Sequence, residues 1–149
     1  LGTERRPLAL TMNKTFLVSR DRPEIELEVT LETDGPLAAH LIVEANLALP
    51  GGVSDGDVAG MSLATPIDLG ARTAVVICQP AMDTYYSLGL EPGTMVLYYP
   101  VQTVNNSEGG FERVVQGACL GAVRPIKFDA GEPSIHKFRL SVSTHPPAD

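Results

Sequence analysis

One stretch of the chain gathers the side chains that could bracket a sugar ring. It reads Tyr98-Tyr99-Pro100-Val101-Gln102-Thr103-Val104-Asn105-Asn106-Ser107-Glu108-Gly109-Gly110-Phe111-Glu112-Arg113-Val114-Val115-Gln116-Gly117. Gln102, Asn105, Asn106, Ser107, Glu108 and, after the glycines, Glu112 supply amides, a hydroxyl and carboxylates. Planar amides and carboxylates can bond neighbouring hydroxyls of a pyranose in pairs, while an aromatic covers the apolar sugar face. Tyr98, Tyr99 and Phe111 are placed to be that aromatic. The same residues also suit a hairpin, because Asn and Gly tolerate positive φ. Both readings, ligand contact and turn chemistry, stand on the residues alone. A second polar pair, Glu44 and Asn46, interrupts an otherwise apolar strand. A buried polar group without a hydrogen bond costs about 1–3 kcal/mol. Either this face is wet, then, or the pair belongs to a network, in which Arg113 and Gln116 would reach Glu44 across a sheet.

Catalytic and metal signatures do not accompany these residues. The sequence has no G-x-S-x-G, H-E-x-x-H, P-loop or G-x-G-x-x-G motif. His40, His136 and His145 lack metal-ligand spacing, so we expect no metal site and no cofactor. Eighteen acids could by chance furnish the two carboxylates of a glycosidase, ~5–9.5 Å apart, and on that ground alone carry no assignment. No residue is assigned a catalytic role.

The elements that must position the polar cluster read as strands. Glu24-Ile25-Glu26-Leu27-Glu28-Val29-Thr30-Leu31-Glu32 alternates apolar and polar without a fault, which gives a strand one dry and one wet face. Residues 8–18 read as a strand with a bend or bulge, and residues 41–49 as another with Leu41, Val43, Ala45, Leu47 and Leu49 inward. Residues 73–79 read as a strand covered on both faces. Residues 94–104 and 110–123 are long and rich in Val and Tyr, and residues 136–142 alternate again. Turn signals separate these runs: Asp34-Gly35-Pro36, Pro50-Gly51-Gly52, Glu91-Pro92-Gly93, Ser107-Glu108-Gly109-Gly110 and Asp129-Ala130-Gly131-Glu132-Pro133. Residues 51–61 form the longest low-order stretch, acidic and rich in Gly. Tyr85 and Tyr86 follow a turn at Asp83-Thr84 and read as covering one end of the core. Seven to nine strands at this spacing define an all-β protein, an antiparallel β-sandwich.

Length and charge narrow the partners. A chain of 149 residues suits a single domain (residues 1–149), with residues 145–149 as a frayed tail. The hydrophobic fraction of 44% is that of a folded globular domain, and the 14 Gly and 12 Pro are spread too evenly to mark a linker. A net charge of −7, with no basic run beyond Arg5-Arg6, argues against nucleic acid. No apolar run reaches the ~18 residues of a membrane span, so no membrane partner is expected. Cys78 and Cys119 stand among apolar neighbours and read as reduced and buried. The chain opens Leu1-Gly2-Thr3-Glu4-Arg5-Arg6, which reads as a piece of something longer, with a cytoplasmic setting as the expectation.

Three segments resemble the C-terminal domain of glycoside hydrolase family 57, enzymes of the α-amylase or 4-α-glucanotransferase type. Ala39-His40-Leu41-Ile42-Val43-Glu44-Ala45-Asn46-Leu47-Ala48-Leu49 is similar to that domain's "VE-x-NL-L" strand. The stretch from Pro100 to Gly117 looks like its most specific motif, and Leu10-Thr11-Met12-Asn13-Lys14-Thr15-Phe16-Leu17-Val18 resembles its opening strand. This chain has Ala45 where the family tends to have an aromatic, and it has no Trp. The resemblance implies a sandwich of the galactose-mutarotase-like or jelly-roll kind within a larger enzyme acting on α-1,4-glucans. It implies that the catalytic carboxylates belong to an N-terminal barrel of the parent chain, outside this sequence. The chain itself is then expected to be a non-catalytic accessory domain that supports the barrel and contacts α-glucan or maltooligosaccharide. Glu44, Asn46, Gln102, Asn105, Ser107, Glu108, Glu112 and Arg113 would make those contacts. The alternative is a structural or protein-interaction sandwich without sugar affinity.

Overall fold

The computed structural model describes residues 8–49, 56–107 and 109–146, with the backbone alone at Ser107. Glu108, the opening residues 1–7, residues 50–55 of the acidic loop and residues 147–149 of the tail lie outside it. Nine strands follow one another: β1 (Leu10–Val18), β2 (Glu24–Thr33), β3 (Leu37–Ala48), β4 (Asp57–Val58), β5 (Met61–Ser62), β6 (Ile67–Gln79), β7 (Thr84–Ser107), β8 (Gly110–Phe128) and β9 (Ser134–Ser143). Every pairing is antiparallel.

A long bent hairpin, β6–β7, belongs to both layers. The first half of β7 pairs with β9, which pairs with β2, which pairs with β1. Its second half pairs with β8, and β8 with β3. The two wings meet face to face. Val29 and Leu31 of β2 and Phe138 of β9 are buried in one cluster with Leu41 of β3 and Ala122 and Ile126 of β8, although no ladder joins β2 to β3 or β9 to β8. A second cluster fills the space inside the hairpin, with Val75, Ile77, Leu88, Val96, Tyr98, Ala118 and Leu120, closed by Leu63 and Val58. Leu90 touches both clusters. The architecture is the expected antiparallel β-sandwich.

Four local expectations change. Glu91-Pro92-Gly93 is not a turn between strands but a bend within β7. Pairing with β9 ends at Leu90 and pairing with β8 begins at Met95, so Pro92, which has no N–H, sits where neither ladder needs one. Gly93 takes φ +82 to turn the chain from one layer to the other. β1 has no bulge, since its register with β2 runs unbroken from Leu10 to Val18. Residues 57–58 and 61–62 of the presumed loop form the short strands β4 and β5, with β4 paired to β6. Residues 75–79 also alternate, with Val75, Ile77 and Gln79 buried and Val76 and Cys78 half-buried, because only their inner face meets the second core.

Candidate functional site

Register decides which of the polar residues can act together. Along β7, Val96 and Tyr98 are fully buried between the layers. Side chains alternate along a strand, so Leu97, Tyr99, Val101, Thr103 and Asn105 turn to the outer face. Tyr99 pairs with Cys119, and Cys119 with Asn46; Leu97 pairs with Gly121, and Gly121 with Glu44. Glu44, Asn46, Cys119 and Tyr99 therefore form one outer patch across β3, β8 and β7. Glu44, Asn46 and Tyr99 are exposed there, so the face carrying Glu44 and Asn46 is wet. Neither Glu44 nor Asn46 has a hydrogen-bond or ion-pair partner among the described residues. The Cys119 thiol is pushed up first by burial and then by the neighbouring Glu44 carboxylate. Both cysteines are free.

Six residues further along β7, about 20 Å at ~3.3 Å per residue, lies the hairpin end. Asn105 pairs with Glu112, and the two exposed side chains share a face. Val104 pairs with Arg113 and Asn106 with Phe111 on the opposite face. A bulge between Val101 and Gln102 leaves Gln116 of β8 without an opposite residue. Ser107 ends β7 opposite Gly110, whose φ of +112 makes the reversal. The hairpin is thus two-sided, with amide and carboxylate on one side and Val104, Phe111 and Arg113 on the other.

The eight candidate residues do not form a single cluster. Gln102 turns inward, and its amide donates to the Ala64 carbonyl at 3.4 Å, beside the Tyr98 hydroxyl that donates to the Leu63 carbonyl at 2.7 Å. It helps hold the turn at residues 63–64. Arg113 does not reach Glu44: it pairs opposite Val104, whereas Glu44 pairs opposite Gly121, about 26 Å away along β8. Gln116 is likewise remote, its carbonyl accepting from the Leu49 N–H. Contact order along the sequence had suggested a network that the strand register forbids. Tyr86 packs on the second core as expected.

A charged cluster that the sequence did not single out lies on the other layer. Glu24, Glu26 and Glu28 on the wet face of β2 stand against Lys137 and Arg139 of β9. Arg139 donates to Glu26 at 3.1 Å, and Lys137 lies 3.2 Å from Glu28 and 3.6 Å from Glu26. The Arg139 hydrogen bond holds the Glu26 carboxyl below its usual range, and the bond to Glu28 raises Lys137. At the bend of β7, Glu91 takes a hydrogen bond from the Lys137 N–H at 3.0 Å and an ion pair from Arg124 at 3.1 Å. Arg124 also donates to the Pro92 carbonyl at 2.8 Å. The nearly buried His136 sets its Nδ1 3.6 Å from Glu91, beyond hydrogen-bond reach, while Nε2 meets Ser134 Oγ at 2.9 Å. This corner ties β7, β8 and β9 together and is structural. The alternation of Glu in β2 was the available signal, but its partners lie more than a hundred residues away. Among the described residues no group of His, Cys, Asp and Glu could hold a metal.

A two-layer antiparallel sandwich carrying exposed amide and carboxylate groups on its outer face defines the class, an all-β domain. The particular family follows from comparison. The chain matches the family described as alpha-amylase/4-alpha-glucanotransferase, C-terminal, over residues 3–135, and belongs to it. In structure it is similar to the crystal structure of 4-alpha-glucanotransferase from Thermococcus litoralis, with a TM-score of 0.67 and 17% identity. That likeness covers 96% of this chain and 20% of the other. No curated protein matches the chain.

Proposed function

We propose that this chain is the non-catalytic accessory domain of an enzyme acting on α-1,4-glucans. On this reading it supports a catalytic domain elsewhere in the parent polypeptide and binds glucan along its outer polar strip. The observation that carries the reading is the family match over residues 3–135, on a chain equal to a fifth of the length of the glucanotransferase it resembles. The chemistry of the acids agrees with it. A glycosidase acid needs a carboxyl pKa raised toward neutrality. Glu26 is instead held low by its hydrogen bond from Arg139.

The strip has the parts that sugar recognition uses. The half-exposed Tyr99 ring offers a stacking surface, with Glu44 and Asn46 on one side and, further along the hairpin, Asn105 of β7 with its partner Glu112 of β8. A rigid sheet holds these groups at fixed spacing, so little side-chain ordering would oppose binding. A second reading rests on the other face of the hairpin. Phe111 is 83% exposed and Val104 62%, with Arg113 beside them, which suits contact with a protein surface without sugar affinity.

The two readings separate in a titration of the chain with maltoheptaose followed by NMR. Glucan binding shows saturable shifts at Tyr99, Asn105 and Glu112, abolished by Glu112→Ala with an unchanged melting temperature. No shift at millimolar sugar, with residues 100–115 unaffected, refutes the sugar site and leaves the supporting role.

A further inference from the structure

The two layers are unequal in a way that specifies what should cover them. From the shared β7, one layer runs β9, β2, β1 and the other β8, β3. The buried cluster seats β9 and β2 against β8 and β3, so β1 overhangs with no counterpart strand among the described residues. Its inward positions are identified by pairing: Leu10 opposite Thr33, Met12 opposite Leu31, Lys14 opposite Val29, Phe16 opposite Leu27, and Val18 opposite Ile25, an apolar row with one lysine at its centre. Leu31 is 1% exposed, yet Phe16 is 63% and Val18 72% exposed. These apolar side chains stand on the core side of the sheet, and no described strand faces them.

The edge of β3 away from β8, which no described strand pairs, borders the same space. Its twelve residues, Leu-Ala-Ala-His-Leu-Ile-Val-Glu-Ala-Asn-Leu-Ala, keep unbroken register with β8 and carry one charge, Glu44. They include no Pro, Lys or bulge, the devices by which natural edge strands avoid pairing. Between this edge and β1 opens an apolar cleft of about 220 Å³, lined by Phe16, Ile25, Leu27, Val43, Ala45 and Leu140 among others.

We propose that a β-strand from the parent polypeptide, outside these 149 residues, adds to this edge of β3 and buries the inward face of β1. Strand spacing fits: a strand ~4.8 Å beyond β3 lies ~10 Å over β1, the normal separation of packed sheets. Its alternate residues facing β1 would be apolar where they meet Met12, Phe16 and Val18, with an acid or a backbone carbonyl to meet Lys14. A second copy does not fit. Antiparallel β3–β3 pairing about a two-fold axis would bring the partner's β2 to the place opposite its own β3, where β1 already stands. The inference rests on the reading above that the chain is part of a longer enzyme, since the solved glucanotransferase extends far beyond the part aligned here.

The test uses the full-length parent. A photo-reactive benzophenone side chain placed at position 16 in place of Phe16 should cross-link within the same polypeptide to a segment outside this sequence. In the unmodified parent, hydrogen exchange should be as slow across Leu37–Ala48 as across β8. Cross-links to residues 1–7, or between molecules with a yield that rises with concentration, would overturn the proposal. So would the absence of any cross-link together with fast exchange of alternate β3 amides. Deleting the domain reports separately on the supporting role: if deletion abolishes glucan turnover while β3 exchanges fast, the function stands and the added strand does not.

Discussion

Removing the Tyr98 hydroxyl should expose how the candidate strip is anchored. Tyr98 is fully buried in the second core, and its hydroxyl donates to the Leu63 carbonyl at 2.7 Å, a full-strength O–H···O distance. Leu63 is itself fully buried, so in Tyr98→Phe its carbonyl loses a partner that water does not replace. A lost bond of this kind with a stranded acceptor costs about 1–2 kcal/mol. For 149 residues, an unfolding entropy of roughly 2.1 cal/mol/K per residue sums to about 0.3 kcal/mol/K, so Tm should fall by about 3–6 °C. The pH dependence gives an independent arm. Burial pushes the Tyr98 phenol up to about 12, against ~10 for a free tyrosine. A phenol whose folded pKa is raised contributes stability that is complete below pH 10 and is lost as pH rises from 10 through about 12. The wild type should therefore lose its advantage over Tyr98→Phe across that window, while the other tyrosines affect both proteins alike. Thermal melts of the pair at pH 8 and pH 11.5 measure this. An unchanged Tm at pH 8, or the same gap between the two proteins at both pH values, would refute the reasoning.

Two further substitutions probe how the layers are joined. A Cβ on Gly117 would lie 2.5 Å from the Leu47 carbonyl oxygen, so Gly117→Ala must push β3 away from β8; chemical denaturation should show a loss of about 1–3 kcal/mol, and none would mean the strands adjust freely. Glu91→Ala leaves Arg124 without its carboxylate and the Lys137 N–H without its acceptor, so stability should fall by about 2 kcal/mol, with hydrogen exchange accelerating at residues 134–140 before the rest of the sheet.

Most of the fold is legible in the sequence because each strand writes its own period. The alternation in residues 24–32 and 41–49 fixed which side chains face inward, and the burial of Val29, Leu31, Leu41 and Leu49 follows it. The polar hairpin was equally visible, since Asn, Glu and a Gly pair between Val-rich runs specify strand, reversal and strand. Three motif matches pointed to a family that the comparison confirms over residues 3–135. Glu91-Pro92-Gly93 shows where local reading stops. A turn and a bend within a strand share the same residues, and what separates them is which neighbours pair on either side.

The sequence by itself thus determined the strands and their inward faces, because these depend on short-range periodicity and local φ preferences, while its motifs carried the family resemblance. Tertiary structure decided which polar residues meet. Pairing between strands far apart in the chain set Glu44 beside Asn46 and Tyr99, placed Arg113 some 26 Å from Glu44, and gave Gln102 to the turn at Ala64. It also left β1 overhanging beside the edge of β3 away from β8, a feature no local pattern records, since an inward-facing apolar residue looks the same in sequence whether or not a second layer covers it.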